Sequence, residues 1–228
     1  MRTIKKFLSV FNAIILSSSF FWSIVILDII MRNRIPLYTR DAVSHFVLIS
    51  IVIAVMFLLP GGPLKWGLNL NNWQIGLFLG IISGFTFGVL FSLFSHGMNT
   101  LAWSFAKLIT QIKNKEIIIH LIAQLFLIGL SEELFFRGIL VTYFMRHFYM
   151  KIIGIHIGVV IVSIIGASLQ FYKLFFGTTF TVVLPLFIGA FIYFVFLGWL
   201  YQKTGSILGS IITHNFGNSL LFLISLGI

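Results

Sequence analysis

The chain has 228 residues, of which 59% are hydrophobic, 17% aromatic and 9% charged, with a net charge of +10 and a mean hydropathy of +1.10. Apolar runs of about 20 residues recur along its whole length, which excludes a soluble globular domain and describes one all-α polytopic membrane domain over residues 1–228. No cysteine is present, so disulfides, thiolate metal ligands and a cysteine nucleophile are excluded, while the fifteen Lys and Arg lie scattered in short loops that suit anionic lipid headgroups and form no continuous face for nucleic acid.

Seven spans are predicted. The first, about 7–31, follows Arg2, Lys5 and Lys6 but is too long for a signal-peptide core and lacks a small-residue cleavage pattern, so it reads as a retained span. Asp28 near its end is expected to reach the interface beside Arg32. The second, about 42–59, stops at the breaker Pro60-Gly61-Gly62-Pro63, and the third covers about 75–94. Between the third and fourth, Leu101, Phe105, Leu108, Ile109 and Ile112 recur at helical spacing, with Ser104, Lys107, Gln111 and Asn114 on the other side. With Trp103 and flanking lysines, this pattern describes an amphipathic interfacial helix or a short eighth span. The remaining spans fall at about 117–140, 152–171, 180–201 and 207–228, and Pro185 is expected to kink the sixth. No repeat stands out. Outside the spans, Lys and Arg divide seven against seven between the two sides, so charge does not set the orientation.

Two of the five acidic residues are adjacent inside the fourth span, in Ser131-Glu132-Glu133-Leu134-Phe135-Phe136-Arg137-Gly138. A carboxylate in hydrocarbon is costly unless paired, protonated or hydrated, so an intramembrane pair marks a functional site. Glu133 and Arg137 are four apart and share a helix face, whereas Glu132 is rotated by about 100°. Glu133 is thus expected to hold Arg137 while Glu132 turns to a cavity, placed as a general base that takes a proton from water. The structural alternative is a buried Glu-Arg clamp with Glu132 protonated and idle.

A second polar group occupies the last span, in Thr213-His214-Asn215-Phe216-Gly217-Asn218. His214 and Asn218 are four apart, so imidazole and carboxamide can address one spot, where they would suit the oxyanion formed when water attacks a carbonyl. Ordinary interhelical hydrogen bonding is the alternative. His120 reads as interfacial, and His45, His96 and His147 as lying near loops.

These residues resemble the CAAX prenyl endopeptidases and bacteriocin-processing or immunity proteins, a group of intramembrane proteases. The family's Glu-Glu-x-x-x-Arg matches Glu132, Glu133 and Arg137, followed by Gly138. Its His-x-x-x-Asn matches His214 and Asn218, preceded by Thr-Gly-Ser-Ile at Thr204 to Ile207. The matching core covers about 117–223. The family's central Phe-x-x-x-His is not kept, and Gln170 stands where the histidine that helps the first glutamate activate water is expected. Glutamine orients water by hydrogen bonding but does not shuttle protons near pH 7 and is a poor metal ligand. His156 is the other candidate, but it lies about 21 Å from Gln170 along a helix, too far to share one site.

The resemblance implies a CAAX-protease-like bundle of about seven to eight transmembrane helices in a bacterial cytoplasmic membrane. It implies hydrolysis of a peptide bond in a membrane-associated peptide or protein tail, as in signalling-peptide processing or bacteriocin immunity. Glu132 would be the base, Glu133 and Arg137 would fix the helix, Gln170 would hold water, and His214 and Asn218 would hold the carbonyl. No cofactor is required on this reading; zinc on Glu132 and His214 is the alternative, short of the three ligands such a site needs. Two rivals are a non-catalytic relative that binds a peptide or membrane partner in the same cavity, and a small transporter with Glu132 as proton relay.

Overall fold

A computed structural model describes residues 2–96 and 105–227. In chain order the helices are α1 (Arg2–Met31), α2 (Leu37–Leu58), α3 (Trp73–His96), α4 (Phe105–Ile112), α5 (Lys115–His147), α6 (Ile157–Ser168), α7 (Phe180–Thr204) and α8 (Leu208–Gly227). A 3₁₀ stretch, Leu169–Phe176, continues α6. The protein is an all-α, multi-pass membrane protein, and among the described residues six helices are long and apolar enough to cross a bilayer: α1, α2, α3, α5, α6 with its extension, and α7. The seventh predicted span, α8, falls outside that set because Thr213, His214, Asn215 and Asn218 interrupt its apolar run. Of the expected interfacial helix, Phe105–Ile112 is helical, and Leu101, Trp103 and Ser104 lie outside the described residues.

Much of the large apolar surface faces outward, including Trp22, Ile29, Phe57 and Phe78. In water such exposure would be costly, whereas lipid tails solvate it, and buried polar groups and small residues then decide which helix faces meet.

The fifth span begins five residues later than the sequence pattern predicts. Residues 151–156 form a hairpin, β1 (Lys151–Ile152) against β2 (Ile155–His156), turning through Ile153 and Gly154, both at positive φ. His156 closes the turn: its Nε2 donates to the Phe148 carbonyl at 2.5 Å and its Nδ1 accepts the Gly158 N–H at 3.0 Å, capping α6. Both ring nitrogens are thereby engaged, and Gln202 clasps the hairpin through Gly154 O and His156 N. His156 is a structural cap.

A stripe of glycines sets the closest helix pair. Gly76, Gly80, Gly84 and Gly88 recur every fourth residue on α3 and face α8. A Cβ at Gly80 would lie 2.9 Å from Ile212 Cβ, and one at Gly84 or Gly88 would lie 3.0 Å from the Thr213 or Gly217 carbonyl. Without side chains in between, the two backbones come into van der Waals contact, the main source of helix association in lipid. Ser83 Oγ and Thr213 Oγ1 add a hydrogen bond at 2.9 Å. With one face of α8 seated on α3, another meets α5.

Candidate active site

Helix α5 is not uniform. Two π-helical stretches, Gln124–Ile128 and Leu134–Val141, flank a five-residue α-helical piece, Gly129–Glu133, which carries the acid pair. Such π turns are rare and recur at functional sites, because the wider turn turns side chains away from the ordinary 3.6-residue faces and loosens the backbone ladder. Side chains brace the looser backbone here. Asn215 Oδ1 of α8 accepts the Gly129 N–H at 2.8 Å, and Thr142 Oγ1 donates to the Arg137 carbonyl at 3.0 Å and meets Tyr201 Oη.

Glu133 is fully buried. Its Oε1 accepts from Arg137 Nη1 at 2.9 Å and from His214 Nδ1 at 2.8 Å. Arg137 extends the clamp to α7, donating from Nη2 to the Phe194 carbonyl at 2.9 Å while its guanidinium lies 4.5 Å from the Phe194 ring centroid. Because the carboxylate accepts the Nδ1–H hydrogen bond, the imidazole is held with Nε2 on the far side. There Nε2 stands 3.7 Å from Glu132 Oε2. The Tyr193 ring packs edge-on to His214 at 5.6 Å and its hydroxyl reaches the Thr213 carbonyl, walling the imidazole from α7.

Glu132, Glu133, Arg137 and His214 therefore form one cluster. Glu132 is its accessible member, with 27% of its side chain exposed against none for Glu133. Asn218 lies one turn beyond His214 and lines a cavity of about 300 Å³ with Gln124, Leu221, Phe222 and Ser225. Gln170 is half-buried at the start of the 3₁₀ stretch, and among the described residues no hydrogen bond joins it to the acid pair or His214. His45, read from sequence as near a loop, is buried in α2 and bonded to Ser131. Asn215, one residue past His214, was the silent member of its motif.

Zinc finds no complete site in this cluster. Glu132 and His214 supply two donors, and among the described residues no three His, Asp or Glu side chains are arranged to hold a metal ion. Gly129 is required by the close approach of α8: a Cβ there would lie 2.9 Å from His214 Cβ and collide with Asn215 Oδ1. Gly129→Ala is accordingly expected to destabilise the protein by about 1–3 kcal/mol, the ordinary penalty of overpacking, read as earlier thermal unfolding in detergent.

Residues 114–220, which contain every member of this cluster, match the family model described as type II CAAX prenyl endopeptidase Rce1-like. Neither a curated protein nor a solved structure matches the chain. Over residues 114–220 the chain is therefore similar to the CAAX protease family.

Proposed function

We propose that the protein is an intramembrane endopeptidase in which Glu132 activates water to hydrolyse a peptide bond in a membrane-associated peptide or protein tail. The observation that carries this reading is the division of labour between adjacent carboxylates. Glu133 is consumed by Arg137 and His214, while Glu132 keeps an accessible carboxylate beside the free edge of the same imidazole.

Water held by Glu132 gives up a proton to the carboxylate as its oxygen attacks the substrate carbonyl. The resulting oxyanion meets His214, which in its doubly protonated form donates Nδ1–H to Glu133 and Nε2–H to the substrate. Donors fixed in a site of low dielectric are worth several kcal/mol to such a transition state. Asn218, one turn along, lines the cavity that would receive the adjoining peptide. Collapse of the tetrahedral species breaks the C–N bond, and the proton on Glu132 passes to the leaving amine. Glu133 and Arg137 hold the imidazole and the helix without touching substrate.

The test uses purified full-length protein in detergent with fluorogenic tail peptides in H₂¹⁸O. Hydrolysis is expected to yield a new amine and a new carboxylate carrying one ¹⁸O. Saturable peptide binding with no new termini would replace this reading with the non-catalytic one.

A further inference from the structure

Helix α2 lies outside the matched segment, yet it reaches the acid pair through a seam of polar contacts with α5. Thr39 donates its N–H and its hydroxyl to the Glu116 carboxylate. Two residues further along α2, Asp41 bridges the helices, its two oxygens each 3.5 Å from a ring nitrogen, Nε2 of His45 and Nδ1 of His120. Deepest, His45 Nδ1 lies 2.6 Å from Ser131 Oγ, with both residues buried. Ser131 is the residue immediately before Glu132.

The proton inventory orders this last contact. Ser131 has one hydroxyl proton, and its Oγ lies 2.8 Å from the Ile128 carbonyl, which can only accept. The hydroxyl proton goes to Ile128, so the short contact with His45 is an Nδ1–H donated to Ser131 Oγ. Nε2 of the same ring faces Asp41, which sits one helical turn back on α2 and holds the ring plane. A buried donor aimed in this way is costly to leave unpaired, so it selects the backbone arrangement that keeps Ser131 in front of it.

That selection bears on Glu132. Gly129–Glu133 hangs between two π-helical stretches, and a shift of either bulge by one residue would rotate the piece by about 100°. Such a rotation would carry Glu132 away from His214 Nε2. We propose that His45, steered by Asp41, is a positioning residue that fixes the rotational register of Ser131-Glu132-Glu133 and so completes the site from outside the matched segment. The consequence for catalysis rests on the hydrolase reading; the register itself does not.

The test is done on full-length protein in lipid nanodiscs, with two readouts. His45→Leu removes the donor; His45→Asn restores an N–H at about the position of Nδ1; Ser131→Ala removes the acceptor by a smaller change and serves where His45→Leu does not fold. In peptide cleavage, His45→Leu and Ser131→Ala are each expected to lower kcat by about 100-fold, the effect of roughly 1 Å of misplacement, with KM unchanged. The double variant should be no worse than either single one, and His45→Asn should recover kcat to within a few-fold. In ¹⁵N-histidine NMR spectra, the His214 ring signals are expected to move in His45→Leu and in Ser131→Ala and to return in His45→Asn. Wild-type protein that cleaves nothing would sink the hydrolase reading while the His214 signals still decide the register. His214 signals that stay fixed in both deletion variants, or losses of kcat that His45→Asn does not repair, would overturn the positioning role.

Discussion

Glu132→Gln is expected to remove peptide cleavage, with kcat/KM falling by about 10²–10⁴-fold, while leaving the protein as stable as before. The carboxamide keeps the volume of the side chain and its partly exposed position, so packing is preserved. Among the described residues its one ionic neighbour is His214 Nε2 at 3.7 Å, a separation too long for a hydrogen bond, so little structure depends on it. What the substitution removes is the capacity to take a proton from water. The measurement is a comparison of new peptide termini in membranes from cells carrying the wild-type protein and the variant, with thermal unfolding of each. Termini that persist unchanged in Glu132→Gln would assign the base elsewhere.

The division between Glu132 and Glu133 was legible in sequence because it depends on one local spacing. Residues four apart share a face, and the Glu133–Arg137 pair at 2.9 Å keeps that relation although π-helical geometry begins at Leu134. Six of the seven predicted spans were legible for the same kind of reason, since a run of apolar residues long enough for the bilayer needs no knowledge of its neighbours. What escaped depended on neighbours. On α8 the spacing of His214 and Asn218 suggested one shared face, but this helix is buried by α3 on one side and α5 on another. Its direction could not be read from which residues are polar, and it is Asn215, rotated by about 100° from His214, that reaches Gly129. The glycines of α3 gave no hydropathy signal, being small in an already apolar run, and they matter only because α8 lies against them. His45 looked close to a loop because it sits two turns inside α2, and only the parallel run of α2 beside α5 shows that this depth is the depth of Ser131.

The hairpin at 151–156 failed for a different reason. Its three isoleucines, Ile152, Ile153 and Ile155, run into the apolar helix that follows, and hydropathy alone extends the span backwards through them. The turn is set by Gly154 at positive φ and by the His156 ring, which satisfies the first free N–H of α6. A histidine at that place stops the helix without lowering the local hydropathy enough to be seen.

Arg137→Met should have the largest effect on folding, a loss of about 3–5 kcal/mol, because it strands a fully buried carboxylate. Methionine retains much of the volume and the unbranched stem, so the loss is electrostatic and not a cavity. Glu133 would keep His214 Nδ1 as a partner at 2.8 Å, but its Oε2 is already buried without a hydrogen-bond partner, so no spare contact can take over. The Phe194 carbonyl would lose its donor as well, loosening α5 from α7. Thermal unfolding in detergent and the yield of folded protein from membranes should both collapse. The double variant Arg137→Met with Glu133→Gln separates charge from shape, since replacing both ions of a buried pair by neutral groups is often close to neutral. The amide oxygen that Glu133→Gln introduces can still accept from His214 Nδ1, so folding should return and the imidazole should keep its place. Cleavage should recover only in part, because a neutral acceptor stabilises a doubly protonated His214 less than a carboxylate does. A single Arg137→Met variant as stable as the wild type would mean that Glu133 accommodates its burial alone, and the clamp would lose its role in holding the site.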